Sequence, residues 1–448
     1  MPKIQTNSTF QAGAGKAIIS PKLGTRLHGY PSDRFATYIH DDLTATASAL
    51  SDGNETAVLV SVTVCGIPTA LCQRLTDMIG ETLGIRNLIF SATHTHSGPA
   101  LNSTPGWGDA DEEYIETVFI PNVIKAVADA VGNLEDAKMG IGETETKTGI
   151  NRREVTPTGG VRIGLNPLGI YDPRMRVITF VSADETRSLG TIVHFGAHGT
   201  AAGGPHPDSP LTRDWSGVMT DRIEWITGAP CAFLNGAEGD VAPRNFNRIL
   251  RNGQLQQNCI QQAMEIGGMA AVDASEAFFK IKTYFTPELK IQTGQIRLPY
   301  EPLPDMDTVR ERLRQLDAQE LPAHMAYHAQ YERSRWEKVL AEEGKEKKEA
   351  FSYSQILVQL GPVVFVPHPY EIFTAIAVRL DHFSPVDYTL SLSNANGDNG
   401  YLPNKEEFDR GGYEVWSSRY GTAYILTKDA DSEIIKQNLA LIQEMQTK

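Results

Sequence analysis

The stretch Asn87-Leu-Ile-Phe-Ser-Ala-Thr-His-Thr-His-Ser-Gly-Pro99 runs from an apolar segment into a polar turn that carries two histidines. It reads as a buried strand. If the strand persists through the turn, His94 and His96 are two residues apart and point to the same face. Two imidazoles on one face at the end of a strand can hold one metal ion, or let one hold metal while the other handles a proton. A surface loop can also hold two histidines, so the rest of the chain has to decide.

Working outward, residues 13–19 read as a first strand, and residues 44–50 and 56–64 as strands joined by the Asp52-Gly53-Asn54 turn, a strong hairpin signal. Leu71, Leu75, Ile79 and Leu83 have helical spacing over residues 70–83, with Gly84 as the stop. A second helix is expected over 111–132. Strands are expected at 139–148, 175–182, 188–196, 230–234 and 288–298, and helices at 218–227 and 258–279. Residues 354–366 read as one long apolar strand, 388–392 as another, and 432–445 as a terminal helix. Strands alternating with helices, with hairpins mixed in, imply an α/β fold with a mixed β-sheet core and helices packed on the outside. Residues 303–350 are dense in Arg, Lys and Glu with helical periodicity. They read as a charged helical hairpin inserted in a single large catalytic domain spanning 1–448, a solvated outer face to which no chemistry is assigned.

The chain has 448 residues and a formal net charge of −14. Nucleic acid and anionic membrane surfaces would be repelled over most of such a surface, so neither is expected as a partner. The N-terminus lacks the apolar core of a secretory signal, and no run of about eighteen apolar residues occurs. A soluble, cytoplasmic protein without a transmembrane segment is expected. Cys65, Cys72, Cys231 and Cys259 include no CxxC pair, which favours buried free thiols over a disulfide framework or a zinc knuckle.

Polar residues repeatedly follow the carboxyl ends of apolar strands, where open α/β sheets place their ligands. Beyond His94 and His96 these are Asn151-Arg152, Asp172-Pro-Arg-Met-Arg-Val, His194-Phe-Gly-Ala-His198-Gly-Thr, Gly239-Asp-Val-Ala-Pro243 and Pro367-His-Pro-Tyr-Glu371-Ile-Phe. Last comes Gly400-Tyr401 followed by Tyr413-Glu414, two tyrosines twelve residues apart. Singly, each has a structural reading: His198 as a satisfied core histidine, Asp240 as a turn former, Glu371 as a helix cap, Tyr401 as a surface aromatic. Together and in this order, the motifs resemble those of the neutral/alkaline (non-lysosomal) ceramidase family over roughly residues 13–425.

The resemblance implies Zn²⁺ held by His94, His198, Glu371 and Tyr401, with His96 beside it as acid/base. Arg152 and Tyr413 would bind the substrate carbonyl or the developing oxyanion. The donor types agree, since zinc takes imidazole nitrogen and carboxylate oxygen and a catalytic site leaves room for water. One position departs from the family pattern: Ala242 stands where the family has serine in Gly-Asp-Val-Ser-Pro. A serine acyl-enzyme route through that position is excluded, whereas attack by metal-activated water survives. Asp240 and Asp214 are read as substrate-binding or supporting carboxylates. Asp214 either orients His198 or caps the helix before Trp215. His28 and His368 are candidates to line a pocket, while His206, His324 and His382 have no partner motif. No C-terminal immunoglobulin-like domain of the kind that larger ceramidases carry is expected.

The expectation is a zinc-dependent hydrolase that cleaves a linear amide (N-acyl) bond of a small-molecule substrate, with an N-acyl lipid among the candidates. One alternative is a zinc-dependent esterase or amidase acting on a small polar compound, which a narrow polar pocket would favour. Another is a catalytically inactive zinc-containing ligand-binding homologue, with Ala242 as the mark of lost catalysis. The acyl and amine groups and the oligomeric state cannot be read from the sequence.

Overall fold

Eight strands, most of them apolar on both faces, build the central sheet of the computed structural model, which describes residues 10–30, 34–104, 108–203, 209–245, 259–318, 326–419 and 422–447. They are β1 (Gln11–Ile18), β2 (Thr44–Ser51), β3 (Thr56–Val62), β4 (Asn87–Ala92), β5 (Glu135–Glu145), β6 (Arg174–Ser182), β7 (Ser188–Phe195) and β8 (Cys231–Asn235). Their order is β8-β7-β6-β5-β1-β2-β3-β4. All neighbours pair antiparallel except β3 with β4 and β7 with β8, the parallel pairs at the two edges. The mixed sheet expected from the sequence is therefore present.

Helices α1 (Thr69–Leu83), α2 (Ile120–Gly132), α3 (Asp214–Thr227) and α4 (Ile260–Phe279) pack on the outer face. Strand alternation sorts the core accordingly. Val58, Val60, Val62, Leu88 and Phe90 face α1 and α2, and Val193, Phe195 and Phe233 face α3 and α4. Leu59, Ile89, Phe180, Ile192 and Leu234 point the other way, onto a second sheet of β9 (Leu289–Pro299), β10 (Ala350–Leu360), β11 (Val363–Pro367) and β12 (Tyr388–Leu392). Burial on both faces explains why these strands read as continuous apolar runs. The first sheet curls until its edges approach: Ser61 Oγ on β3 donates to the Phe233 carbonyl on β8 at 2.6 Å, and Asn235 Nδ2 donates to Thr93 O at 3.1 Å.

The charged segment forms α5 (Met306–Ala318) and α6 (Ala326–Leu340), which pack on each other; residues 319–325 between them lie outside the described residues. Beyond it come α7 (Thr374–Phe383), α8 (Tyr413–Ser418) and α9 (Ala430–Gln446). β11 and β12 pair parallel through α7. The fold thus contains three strand–helix–strand crossovers, β3-α1-β4, β7-α3-β8 and β11-α7-β12, and parallel neighbours require such connections.

Two expectations are corrected. Residues 354–366 are not one strand but a hairpin, in which Leu360 pairs with Val363 across Gly361-Pro362. Gly361 has φ 52°, the left-handed first position of a two-residue hairpin turn. Buried apolar residues on both sides hid that break. The helix expected over 111–132 is interrupted by a π turn, Ile115–Phe119, ahead of Pro121. A proline ring clashes with the carbonyl four residues earlier, and the wider turn relieves that contact. Among the described residues no helix is long and apolar enough to cross a membrane.

Candidate metal centre

Each of the three crossovers sends donor side chains to one place. His94 follows β4, His198 follows β7, and Glu371 follows β11. Tyr401 follows β12, and the short parallel pair Glu371–Ile372 with Tyr401–Leu402 sets Glu371 directly beside it in register. The meeting of the sheet's edges brings the two histidine loops together: Thr95 and Gly199 form a bridge, and His96 N–H donates to Gly199 O at 3.0 Å.

The strand does not persist through the histidines. β4 ends at Ala92, and His94 adopts φ 62°, a left-handed conformation that costs a non-glycine residue roughly 1–2 kcal/mol. The imidazoles of His94 and His96 converge because the chain turns there. Their rings meet edge to face with centroids 4.7 Å apart.

The donor atoms are preset by their backs. His94 Nδ1 lies 2.6 Å from the Cys65 carbonyl, and His198 Nδ1 lies 2.8 Å from Glu238 O and 3.1 Å from Val241 O. A carbonyl only accepts, so Nδ1 carries the proton in both rings and each Nε2 presents a lone pair. Glu371 Oε2 faces them at 3.4 Å from His94 Nε2 and 3.1 Å from His198 Nε2, and it is buried without a hydrogen-bond partner. The donor atoms of His94, His198 and Glu371 all lie within 4.8 Å of one another. Tyr401 Oη is 3.4 Å from His198 Nε2. Electron-rich atoms turned on one another call for a positive charge among them, and this donor set fits a divalent metal such as zinc.

The electrostatics make the same demand. Burial opposes charge on His94, yet Glu238, Cys65 and Glu371 outweigh it and hold its pKa well above the usual imidazole value, so a positive charge at Nε2, whether a proton or a metal ion in its place, is favoured. Burial pushes Glu371 up, but His94 and His198 overcome this and keep its carboxylate well below its ordinary range. His96 is the opposite case. Burial first, then the neighbouring His94 and His198, hold it well below 6.5, so it is neutral at neutral pH. Its Nε2 lies 3.0 Å from His94 Nε2, and its Nδ1 is buried without a partner.

The remaining sequence candidates divide by position. Tyr413 lines the cavity over the centre, its ring centroid 5.9 Å from that of Tyr401. Arg152 lies behind that wall, donating to Tyr401 Oη at 2.9 Å and to Glu414 at 2.8 Å. Asp240 accepts from Thr374 N and Oγ1, each at 2.8 Å, and from Asn151 Nδ2 at 3.1 Å, tying three segments together. Ala242 pairs with Ile150 in a two-stranded ladder, buried and away from the cavity wall. Asp214 accepts from the N–H groups of Ala201, Ala202 and Trp215, and Trp215 Nε1 donates to His198 O at 2.9 Å. It braces the loop after His198. His28 lines the cavity, whereas His368 is fully buried elsewhere in the core. His206 and His324 lie outside the described residues.

Several residues escaped the sequence reading. Glu238, fully buried, is bonded to Asn235 and to Asn394 Nδ2 (2.6 Å), and its Oε1 is 3.9 Å from His94 Nδ1. Burial raises its pKa to about 8. Cys65 forms a second close donor group with His94 and His96. The charged hairpin is also corrected: Tyr331 and Lys338 of α6 line the cavity, so this element is not merely a solvated face. The signal was available for Glu238 and Asn394, since both follow apolar strands. Tyr331 and Lys338 carried none, because helical charge periodicity looks the same on either side.

No protein-family model and no curated protein matches the chain. Solved structures do. The chain is similar to neutral ceramidase from Pseudomonas aeruginosa with a TM-score of 0.74 at 19% identity, covering 98% of this chain and 75% of that one. It is equally similar to a ceramidase complexed with C2, with a TM-score of 0.74 at 16% identity over 98% of this chain and 76% of that one. What these matches share with the present chain, end to end, is the fold: it is that of the neutral ceramidases over about three quarters of their length.

Proposed function

We propose that the chain is a metal-dependent hydrolase of linear amide bonds. The observation that carries this reading is the convergence of His94 Nε2, His198 Nε2 and Glu371 Oε2 beneath an open cavity, with both imidazoles preset by backbone carbonyls. His94, His198 and Glu371 would hold the ion, with the Tyr401 hydroxyl as fourth donor. A bound zinc ion supplies Lewis-acid polarisation of a carbonyl and lowers the pKa of water to about 7. The ceramidase fold supports amide chemistry, because the proteins that share it carry that activity in their names.

The chain's own residues supply the rest. His96, neutral and in the cavity wall, would accept a proton from the attacking water and return it to the leaving amine. Tyr413, which lines the cavity, would donate its hydroxyl to the developing oxyanion, and one such donor is worth about 3 kcal/mol. Arg152 acts through Tyr401: burial and Glu371 favour the neutral phenol, and the guanidinium opposes them. A small polar substrate is the second reading, favoured by the tyrosines and carboxylates of the cavity wall.

The test is hydrolysis of a panel of N-acyl amides by zinc-loaded protein. Replacing His96 with alanine is expected to lower kcat by about 10²–10⁴-fold with zinc retained. Absence of turnover by the native protein across the panel overturns the reading.

A further inference from the structure

The cavity over the metal centre has a volume of about 380 Å³, at the small end of the roughly 300–1,000 Å³ found for small-molecule sites. Its inner end is acidic. Asp398 faces it near Glu371 and accepts from Asn102 Nδ2 at 3.2 Å. Room for this carboxylate is made at Gly66, where a Cβ would stand 2.3 Å from Asp398 Oδ2. A carboxylate offers about four acceptor positions, so Asn102 and the Gly400 N–H leave capacity for a donor on a ligand.

Another part of the wall is formed by α6. Tyr331 lines the cavity and is pinned by Trp416, with ring centroids 5.6 Å apart, while His328 packs on the same indole at 4.5 Å. Lys338, exposed, stands at the rim. Phe351 and the close pair Tyr300 and Tyr424, 5.0 Å between centroids, add rigid aromatic surface.

Resting on the hydrolase reading above, we propose that the substrate is a compact N-acyl amine: a short acyl chain on an amine part that bears a hydroxyl or ammonium donor. Helix α6 sets the length limit and Asp398 reads the donor. A cavity of this size takes a ligand of drug dimensions, and a lipid with two long tails would have to displace the α6 wall. The tyrosine rings give a short acyl chain an apolar face, and their hydroxyls keep the wall wet where a long chain would need a dry one.

The test uses zinc-loaded full chain and two series, N-acyl ethanolamines and mono-N-acyl ethylenediamines, with acyl chains from C2 to C16. The native protein is expected to show its highest kcat/KM at C2–C6, falling at least tenfold by C16. Tyr331→Ala and Lys338→Ala are each expected to shift the optimum to longer chains; Lys338 is exposed, so that variant reports even if Tyr331→Ala misfolds. Asp398→Asn is expected to lower kcat/KM about tenfold on the ammonium series and less on the hydroxyl series, with zinc content unchanged, because asparagine still accepts from a hydroxyl but has no charge. An optimum at C12–C16, or a profile unmoved in both α6 variants, overturns the length limit. Unchanged kcat/KM of Asp398→Asn on both series overturns its role. Turnover of long chains alone overturns this inference and leaves the hydrolase reading standing, whereas no turnover of any member overturns both.

Discussion

Glu238 touches no cavity wall, yet its carboxylate stands behind His94 and is held by Asn235 and Asn394. Groups behind a ligand set its basicity, and removing them typically costs ten- to a hundredfold in metal affinity. Glu238→Gln is therefore expected to weaken zinc binding by about that factor in a chelator competition, and unaltered affinity would remove Glu238 from the centre. His368 makes a separate prediction about acid. Burial alone lowers its pKa from 6.5 to about 3. Between those values the unfolded chain binds a proton that the folded chain refuses, so stability falls as pH drops from about 6.5 towards 3, by up to about 1.4 kcal/mol per pH unit. His368→Asn should lose less melting temperature than the native protein between pH 7 and pH 4.5; an equal loss would contradict this. That His94, His198 and Glu371 belong together was suggested in the sequence by motifs occurring in order, and their side chains do converge in the fold. Their geometry was not legible: the left-handed turn at His94 leaves no mark in a sequence that reads as a strand.

Close packing decides much at the scale of elements. α2 lies so near β1 that a Cβ at Gly15 would be 2.2 Å from the Ala126 carbonyl oxygen. Gly15→Ala forces backbone apart and is expected to cost about 1–3 kcal/mol, read as a lowered urea midpoint; an unchanged midpoint would mean that α2 is not seated as described. Strong periodicity made most strands and helices readable to within a few residues. The exceptions have local causes. At Gly361-Pro362 a hairpin turn is buried inside an apolar run, and at Ile115–Phe119 a π turn precedes a proline. The charged hairpin was misjudged for another reason, since two cavity-facing residues on α6 are invisible among many solvated ones.

At the scale of the molecule, the curl of the first sheet makes the site. β4 and β8 are opposite edges in strand order, so nothing in the sequence says that His94 and His198 meet. Contacts between those edges, such as Asn235 at the end of β8 to Thr93 just past β4, join them and deliver both imidazoles to the end of β11, where Glu371 lies. The sequence motifs pointed to this set through a family resemblance, and similarity to solved ceramidases at 16–19% identity extends to the fold. The central claim is that His94, His198 and Glu371 hold one metal ion while His96 stands free of it. The most direct measurement is the zinc-to-protein ratio, by elemental analysis, of the native chain, His96→Ala and Glu371→Ala purified side by side. The account predicts about one zinc per chain in the first two and a marked loss in the third; zinc that persists unchanged in Glu371→Ala, or that leaves with His96, would contradict it.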